Sequence, residues 1–443
     1  WKEAAATDGL LKSLPMAGKV IKRSGPDSIG VFTYVLSNGA TVLVKPTDFK
    51  NDEVVFTGFS AGGTSVYPDS QFMSASNAAQ LIASNGVADL DPVALSRVLT
   101  GKSAQAGPFI QEHYDGIQGG ASPADLETAL QLLYLEFTAP RKDTVVFNGI
   151  INRVKASMIG RSNNPDAVFA DSVSAILGMH HFRRLPLTEA RIDQVNLDEA
   201  YRIYKERFAN AGTFTFIFTG SIDTSKFIPL MEQYIGSLPG HAATSSWKDL
   251  GIHMPEGKVS STVYKGNDNK ATVNLIISGK YTYNEVNNMD LSALGAILQY
   301  RITERIREAE SGAYSPRAGV NFNKLPDARY AFSIQITCAP ANVEKLIAAT
   351  REEITKLKTE GPSADDLAKF TAETSRSEEL QLRNNGFWLQ YISGHLQNQD
   401  PMSSILHFNE RLKAENIERL KKAANVYFND TNFIRLVHMP EQK

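Results

Sequence analysis

The amino-acid sequence contains one internal duplication. Residues 55–60 (Val-Phe-Thr-Gly-Phe-Ser) pair with residues 273–278 (Val-Asn-Leu-Ile-Ile-Ser), and residues 122–130 pair with residues 339–347, in each case about 220 residues further along. Two more pairs follow in the same order and at nearly the same offset: 161–165 with 382–386, and 196–199 with 416–419. Because self-similarity at a fixed offset indicates repeated structural units, the sequence predicts two homologous domains of roughly 200 residues each.

The duplication sets the predicted domain boundaries. We expect a first domain over residues 29–237 and a second over residues 258–443, joined by a linker over residues 238–257 that is rich in Gly, Pro and Ser. Residues 1–28 precede the first strong strand pattern, and we interpret them as an extended arm or linker. The first residue is Trp rather than Met, and no signal-peptide pattern follows it, so we expect a processed or excised piece.

Each repeat mixes strand and helix patterns. Residues 32–36 and 40–44 are apolar runs separated by Ser-Asn-Gly, which predicts a hairpin because Asn-Gly supplies the positive φ of a tight turn. Residues 123–137 have helical apolar spacing, with Ser122 as the N-cap. The predicted fold class is α+β, with two homologous domains that each have a largely antiparallel sheet and helices packed on one face.

Composition excludes several classes of protein. The formal net charge of -2 and the pI near 6.5 provide no basic surface for nucleic acid. A single cysteine, Cys338, excludes an internal disulfide framework and a Cys-rich zinc module. No run of 18 or more apolar residues occurs, so we expect no membrane span.

Four further runs carry a family resemblance. They are residues 36–50 (Leu-Ser-Asn-Gly-Ala-Thr-Val-Leu-Val-Lys-Pro-Thr-Asp-Phe-Lys), 59–63 (Phe-Ser-Ala-Gly-Gly), 185–189 (Leu-Pro-Leu-Thr-Glu) followed by 200–208, and 216–223 (Phe-Ile-Phe-Thr-Gly-Ser-Ile-Asp). Together with the duplication, these runs resemble the pitrilysin-type (M16) zinc metallopeptidases over nearly the whole chain. The sequence is most similar to the C-terminal, non-zinc-binding half of the PqqL-like bacterial enzymes. The resemblance implies one half of a two-half enzyme whose four homologous domains enclose a proteolytic chamber.

The zinc motif of that family is absent from this sequence. The family binds zinc through H-x-x-E-H on a helix, where the two histidines coordinate the metal and the glutamate is the general base. The resemblance places the motif at residues 76–80, where Ser76, Ala79 and Gln80 occupy the three essential positions. The same positions of the second repeat, residues 294–298, are Leu-Gly-Ala-Ile-Leu. We therefore expect no metal or other cofactor in this chain, Zn²⁺ in a partner half, and no activity of the chain alone.

An arginine and a tyrosine match another family pattern. In the family, the C-terminal half supplies an Arg, six residues and a Tyr to the active site of the zinc-binding half, and Arg307 and Tyr314 have this spacing. The resemblance implies that both are catalytic residues donated to a partner zinc site, where a guanidinium and a phenol can hold a substrate carbonyl or an oxyanion. The alternative interpretation is a surface arginine near a helix end and a core tyrosine, with Arg305 as a solvated neighbour.

The leading hypothesis is therefore a non-metal, substrate-binding half of a zinc metalloendopeptidase. Its partners would be a peptide substrate, bound by strand addition to a sheet edge, and a zinc-binding half in the same polypeptide or in a separate subunit. The resemblance also implies a bacterial periplasmic or cell-envelope location. The alternative hypothesis is a non-catalytic scaffold or peptide-binding subunit with the same fold.

Two histidine-containing clusters have weaker claims to function. Residues 112–115 (Glu-His-Tyr-Asp) could form a charge relay, but the spacing supplies no nucleophile. His180 and His181 are adjacent, so their side chains splay apart, and no acidic residue lies three or four positions away. We interpret both clusters as structural.

Overall fold

The computed structural model describes residues 10–309 and 316–441, without the side chains of residues 307–309. Within this part of the chain the strands are β1 Val20–Ser24, β2 Phe32–Leu36, β3 Thr41–Pro46, β4 Val54–Ala61, β5 Ala104–Ile110, β6 Tyr114–Ala121, β7 Thr215–Gly220, β8 Lys258–Tyr264, β9 Ala271–Lys280, β10 Arg317–Asn323, β11 Arg329–Cys338 and β12 Phe433–Met439.

The α-helices, within the same residues, are α1 Phe72–Ala83, α2 Pro92–Val98, α3 Leu126–Thr138, α4 Thr144–Arg161, α5 Pro165–Leu177, α6 Glu189–Ile192, α7 Leu197–Arg207, α8 Thr224–Tyr234, α9 Glu285–Ala309, α10 Val343–Thr359, α11 Ala364–Gln381, α12 Asn385–Asn398, α13 Phe408–Ala414 and α14 Ile417–Tyr427. Within the described ranges, no helix is both long and apolar enough to cross a bilayer.

Local sequence signals account for the hairpin and the capped helix. Strands β2 and β3 pair antiparallel around Gly39, whose φ is +89°. This confirms the predicted hairpin, because glycine adopts positive φ without a steric cost. Ser122 accepts a hydrogen bond from the backbone N–H of Asp125, as predicted for the N-cap, although the first turn is a 3₁₀ helix that precedes α3.

The first sheet has seven strands in the order β1-β2-β3-β7-β4-β6-β5. Its pairs are antiparallel except β3 with β7. One face carries Phe56, Phe216 and Phe218, which are fully buried in a core together with Leu130 of α3 and Ile203 of α7. This single apolar layer between sheet and helices is the largest core cluster in the described residues.

The second sheet has five strands in the order β10-β11-β9-β12-β8, and its pairs are antiparallel except β8 with β12. Its core is formed by Val273 and Phe332 of the sheet with Leu294 of α9, Leu346 of α10 and Leu420 of α14. The predicted fold class, two α+β domains with largely antiparallel sheets, is confirmed.

One further helix covers the opposite face of each sheet. On the first sheet, Thr219 of β7 points away from the phenylalanine core, and its hydroxyl donates to the backbone carbonyl of Asn385 in α12 at 2.9 Å. On the second sheet, Phe169 of α5 packs against Ile276 and Ile434. Each covering helix therefore comes from the other repeat of the sequence.

The contacts divide the chain into two compact units. The first consists of the chain up to Ser157, Leu187–Leu250 and Gln381–Ser403, and the second consists of Met158–Pro186, Gly251–Leu380 and the chain from Ser404. Each unit therefore includes a helical segment from the other half of the sequence. The predicted domain boundaries at residues 237 and 258 were derived from the duplication in the sequence, and they stay a prediction.

Candidate functional site

The positions of the missing zinc motif lie on a well-formed helix. Helix α1 buries Ala75, Ala78 and Ile82 against the first sheet, while Ser76 and Gln80 lie on its exposed side. The Ser76 hydroxyl donates to the backbone carbonyl of Met73 at 3.4 Å. The helix that should carry the motif is thus intact, and its surface presents a hydroxyl and an amide.

These residues do not fit a zinc ion. Zinc in proteins is bound by imidazole, thiolate or carboxylate groups, and Ser76, Ala79 and Gln80 supply none of them. Across residues 10–309 and 316–441, no group of three or more His, Cys, Asp or Glu side chains could hold a metal ion.

A buried ion pair fixes the segment that leads into α1. Arg207, the last residue of α7, donates from Nε to Oδ2 of Asp115 at 2.6 Å and from Nη2 to the backbone carbonyl of Ala61 at 2.8 Å. The backbone N–H of Gly63 donates to the same Asp115 oxygen at 3.2 Å. Asp115 is fully buried. Its burial raises the pKa of the carboxyl, and Arg207 and the Gly63 N–H oppose that rise.

Gly62 is required by this arrangement. Its φ is +142°, and a Cβ placed there would lie 2.0 Å from Nη2 of Arg207. A side chain would therefore displace the guanidinium from the carbonyl of Ala61. Gly62 therefore admits Arg207 beside the end of β4, whereas a Cβ at Gly63 would lie 2.2 Å from the backbone carbonyl oxygen of Gln111.

The cluster at residues 112–115 has structural contacts. Asp115 belongs to the ion pair with Arg207. The ring of His113 packs against Trp247 with 4.7 Å between ring centroids, and the Tyr114 ring lies edge-on to Phe59 at 5.7 Å. These contacts support the structural interpretation of the cluster.

The pair of histidines at the end of α5 also has a structural contact. His181 is the N-cap of a short 3₁₀ helix, and its Nδ1 accepts a hydrogen bond from the backbone N–H of Arg183 at 3.2 Å. His180 precedes it with φ +54° and is exposed. The two imidazoles therefore do not form a common metal site.

Helix α9 includes the backbone of Arg307. Ile302 and Ile306 are 1% and 2% exposed, so both lie on the buried face of this helix. Between them on the surface, Arg305 forms an ion pair with Glu352 of α10 at 3.2 Å. Arg307 lies near the end of α9, but its side chain and the whole of Tyr314 lie outside the described residues.

The chain after Tyr314 is held by a residue of α9. The side-chain amide of Gln299 donates from Nε2 to the backbone carbonyl of Pro316 at 3.1 Å, and its Oε1 accepts from the N–H of Ala318 at the start of β10. Of the described residues on either side of positions 310–315, Ile306 is buried, and Pro316 and Ala318 are hydrogen-bonded by Gln299.

Strand β10 is an edge that can accept another strand. Within the described chain it pairs with β11 on one side and with no strand on the other. It contains no proline, so every residue has a backbone N–H. Strand β5, an edge of the first sheet, contains Pro108, which has no N–H to donate. Of these two edges, β10 is better suited to strand addition.

Comparison with known proteins shows what this chain is similar to. Residues 194–371 match the family model described as "Peptidase M16 inactive domain". A curated protein of Arabidopsis thaliana, "Zinc protease PQQL-like", is 27% identical over 414 residues, which cover 88% of this chain and 40% of that protein. The chain therefore spans less than half the length of this relative.

Solved structures show the same fold. The periplasmic protease PqqL from Escherichia coli superposes with a TM-score of 0.84 and 20% identity, over 98% of this chain and 48% of that chain. A peptidase M16 inactive domain from Pseudomonas fluorescens gives a TM-score of 0.76 and 17% identity, over 94% of this chain and 99% of that chain. The fold is that of the M16, pitrilysin-type peptidases, and the predicted resemblance is confirmed. The chain is homologous to PqqL-like zinc proteases.

Two anchoring features were missed by the sequence reasoning. The Asp115–Arg207 pair joins residues 92 positions apart, and Gln299 reaches its partners across the segment that contains Tyr314. The double glycine at positions 62 and 63 was a signal that the backbone there approaches another group closely. It did not indicate which group.

Proposed function

We propose that this chain is the non-metal, substrate-binding half of a pitrilysin-type zinc metallopeptidase. It contributes Arg307 and Tyr314 to the active site of a zinc-bearing half, and by itself it does not hydrolyse peptides. The zinc half is either another part of the same polypeptide or a separate subunit. We further propose a periplasmic or cell-envelope location, as the name of the E. coli relative states for that protein.

One observation carries the proposal. Helix α1 is intact at the zinc-motif positions, yet Ser76, Ala79 and Gln80 cannot bind zinc. A chain with this fold and these substitutions retains the architecture of the peptidase while lacking its metal. The residues that flank positions 310–315 support a role for Arg307 and Tyr314, because Ile306 is buried and the backbone carbonyl of Pro316 is hydrogen-bonded by Gln299.

Peptide binding is proposed at β10. Strand β10 begins three residues after Tyr314 in the sequence, and a peptide would add to its unpaired edge as a further strand. Main-chain hydrogen bonds would give such a peptide affinity with little dependence on its sequence. The guanidinium of Arg307 and the phenol of Tyr314 would then donate hydrogen bonds to the carbonyl oxygen as negative charge develops on it.

The proposal is tested by reconstitution. The chain is mixed with the zinc-bearing half encoded with it, and cleavage of a quenched fluorescent peptide is measured. We expect cleavage only in the mixture, and we expect Arg307→Ala and Tyr314→Phe each to lower kcat by about 100-fold, the magnitude found when one oxyanion donor is removed. The matched control is Arg97→Gln on α2, which should leave kcat unchanged.

A second candidate function is a non-catalytic scaffold of the same fold. This alternative shares the missing zinc ligands at positions 76–80, and it differs in giving Arg307 and Tyr314 no catalytic role. Under this alternative, the mixture would cleave no faster than the zinc half alone, and Arg307→Ala would have no effect on any rate. That result would contradict the proposed enzymatic role.

A further inference from the structure

The two faces of the edge strand β10 differ in chemistry. Val320 and Phe322 pack against the core of the second unit. Because side chains alternate along a strand, Arg317, Gly319 and Asn321 lie on the opposite face, which we call the outer face of β10. A peptide strand that adds to the open edge of β10 would place every second side chain on this outer face.

Arg317 is an exposed cation on the outer face. The strands of the second sheet contain two other arginines, and both are ion-paired: Arg329 with Asp327 at 2.9 Å, and Arg435 with Glu344. Among the described residues, no side chain forms an ion pair or hydrogen bond with the guanidinium of Arg317. This guanidinium can therefore bind a carboxylate that a ligand brings.

Gly319 leaves open space on the outer face. A Cβ placed at Gly319 would have no heavy atom of the described residues within 4 Å. Its partner on β11 is Ser333, which is small and exposed. In β-sheets, an aromatic side chain of a neighbouring strand can cover a glycine and help to fix the register. Within the described chain, no strand lies on the open side of β10 to supply such a ring.

The cation and the open space are two residues apart on one strand. In a peptide strand added beside β10, the residues opposite Arg317 and Gly319 would also be two apart, with both side chains on the outer face. Main-chain hydrogen bonds to the edge do not distinguish one peptide from another, so selection depends on these side-chain pairs. The complementary chemistry is a carboxylate opposite the guanidinium and an aromatic ring over the glycine.

We propose that β10 selects peptides with an acidic residue opposite Arg317 and an aromatic residue two positions away, over Gly319. Arginine binds carboxylates through charge-assisted hydrogen bonds. Each cross-strand pair of this kind makes a modest contribution, so the selection is graded rather than absolute. The inference rests on the proposed strand addition at β10, and it deepens the proposed function by naming the class of peptide substrate.

Binding is measured with the 443-residue chain alone, by fluorescence anisotropy of labelled peptides with blocked ends. The reference peptide is Thr-Phe-Thr-Glu-Thr-Phe-Thr, whose symmetry gives the same pairs in either strand direction. We expect it to bind about threefold more tightly than the peptide with Gln in place of Glu, and about threefold more tightly than the peptide with Ala in place of both Phe. The preference for Glu should disappear in 1 M salt, because exposed charges are screened, whereas the preference for Phe should remain.

The role of Arg317 is tested by charge reversal. Arg317→Glu should bind a peptide with a central Lys about threefold more tightly than the Glu peptide, the opposite of the wild-type order. The matched control is Arg97→Glu on α2, which makes the same change in net charge at another exposed arginine. This control should keep the wild-type order.

The role of Gly319 is tested by filling the space above it. Gly319 lies within a strand, so the β-branched side chain of Gly319→Thr suits its backbone. We expect this variant to lose the preference for Phe over Ala and to keep the preference for Glu over Gln. The matched control is Gly107→Thr on the edge strand β5, where a Cβ also meets no described atom within 4 Å. It should keep both preferences.

The outcomes separate this inference from the proposed function. Equal affinity for the Glu and Gln peptides, or an unchanged order in Arg317→Glu, would overturn the role of Arg317. A Phe preference that survives in Gly319→Thr would overturn the role of Gly319. Peptide binding itself would stand in each of these cases. Failure of every peptide to bind would contradict strand addition at β10 and this inference with it, whereas failure of reconstituted cleavage alone would leave the binding results intact.

Discussion

Arg207 at the end of α7 and Asp115 in β6 form a buried ion pair with 2.6 Å between Nε and Oδ2. The pair links the end of β4, Gly63 and α7, which together set the entry into α1. Helix α1 is the helix on which the resemblance places the zinc-motif positions.

The first prediction concerns that ion pair. Arg207→Met leaves the buried Asp115 carboxylate without its cation, so we expect a loss of about 3 to 5 kcal/mol in the free energy of unfolding measured in urea. The matched control is Arg202→Met, which removes an exposed ion pair with Glu206 and should cost less than about 1 kcal/mol. Equal losses in the two variants would contradict the structural role given to Arg207.

The second prediction concerns the helix that the second repeat supplies to the first sheet. Trp388 of α12 is 7% exposed, its indole N–H donates to the carbonyl of Leu382, and Nζ of Lys45 in β3 lies 4.0 Å from its ring centroid. We expect Trp388→Ala to lower the free energy of unfolding by about 3 to 5 kcal/mol.

Phe387 on the same helix provides the control for Trp388. It is only half-buried and lies against Tyr391 of α12 itself. Phe387→Ala should therefore cost clearly less than Trp388→Ala in the same urea titration. If the two variants were equally stable, α12 would not be held on the first sheet by the contacts described.

The third prediction is a pH dependence. Burial, and the adjacent Asp290 carboxylate, raise the pKa of Glu415 to about 8. A raised pKa in the folded state means that the protonated carboxyl stabilises the fold at low pH, and that this contribution is lost as pH rises from about 4.5 through about 8. Arg419 pairs with Asp290 at 2.6 Å and lies 3.6 Å from Glu415, where its charge opposes part of the rise in the pKa of Glu415.

Glu415→Gln removes that titration. We expect the free energy of unfolding of the variant, minus that of wild type, to be larger at pH 9 than at pH 5 by on the order of 3 kcal/mol. The variant is therefore the relatively more stable protein at high pH. Glu418→Gln, an exposed change at the start of α14, is the control and should follow the wild-type pH profile. Parallel profiles for Glu415→Gln and wild type would show that the carboxyl titrates normally in the folded protein.

The fourth prediction concerns Gln299 of α9, which is hydrogen-bonded to the backbone of Pro316 and Ala318 at the start of β10. Gln299→Leu removes the hydrogen bonds to Pro316 and Ala318 without opening a large cavity. We expect it to lower kcat of the reconstituted peptidase by tenfold or more, because small displacements of catalytic groups are costly. Gln390→Leu, at an exposed position of α12, is the control. A normal kcat for Gln299→Leu would show that this anchor does not position Tyr314.

Patterns among neighbouring residues predicted individual strands and helices better than they predicted how these elements pack together. The Asn-Gly turn between β2 and β3 and the serine cap before α3 are determined by neighbouring residues, and both are found in the structure. Which sheet α5 and α12 cover depends on contacts with strands far away in the sequence. Their own apolar patterns show only that each has a face to bury.

Only part of the candidate site could be predicted from the sequence, for a similar reason. A missing zinc motif is visible in the sequence, because Ser76, Ala79 and Gln80 lack the donor atoms whatever the fold does with them. The residues that lie together on the face of the second sheet that α5 covers, such as Ser278 and Ala331, were not visible in the sequence, because strand register decides which residues become neighbours.

The most direct test of the central claim is a zinc titration of the purified 443-residue chain, followed by calorimetry and with peptidase activity recorded at each point. We expect no saturable binding at micromolar zinc and no cleavage at any zinc concentration. One equivalent of tightly bound zinc together with proteolysis by the chain alone would contradict the account.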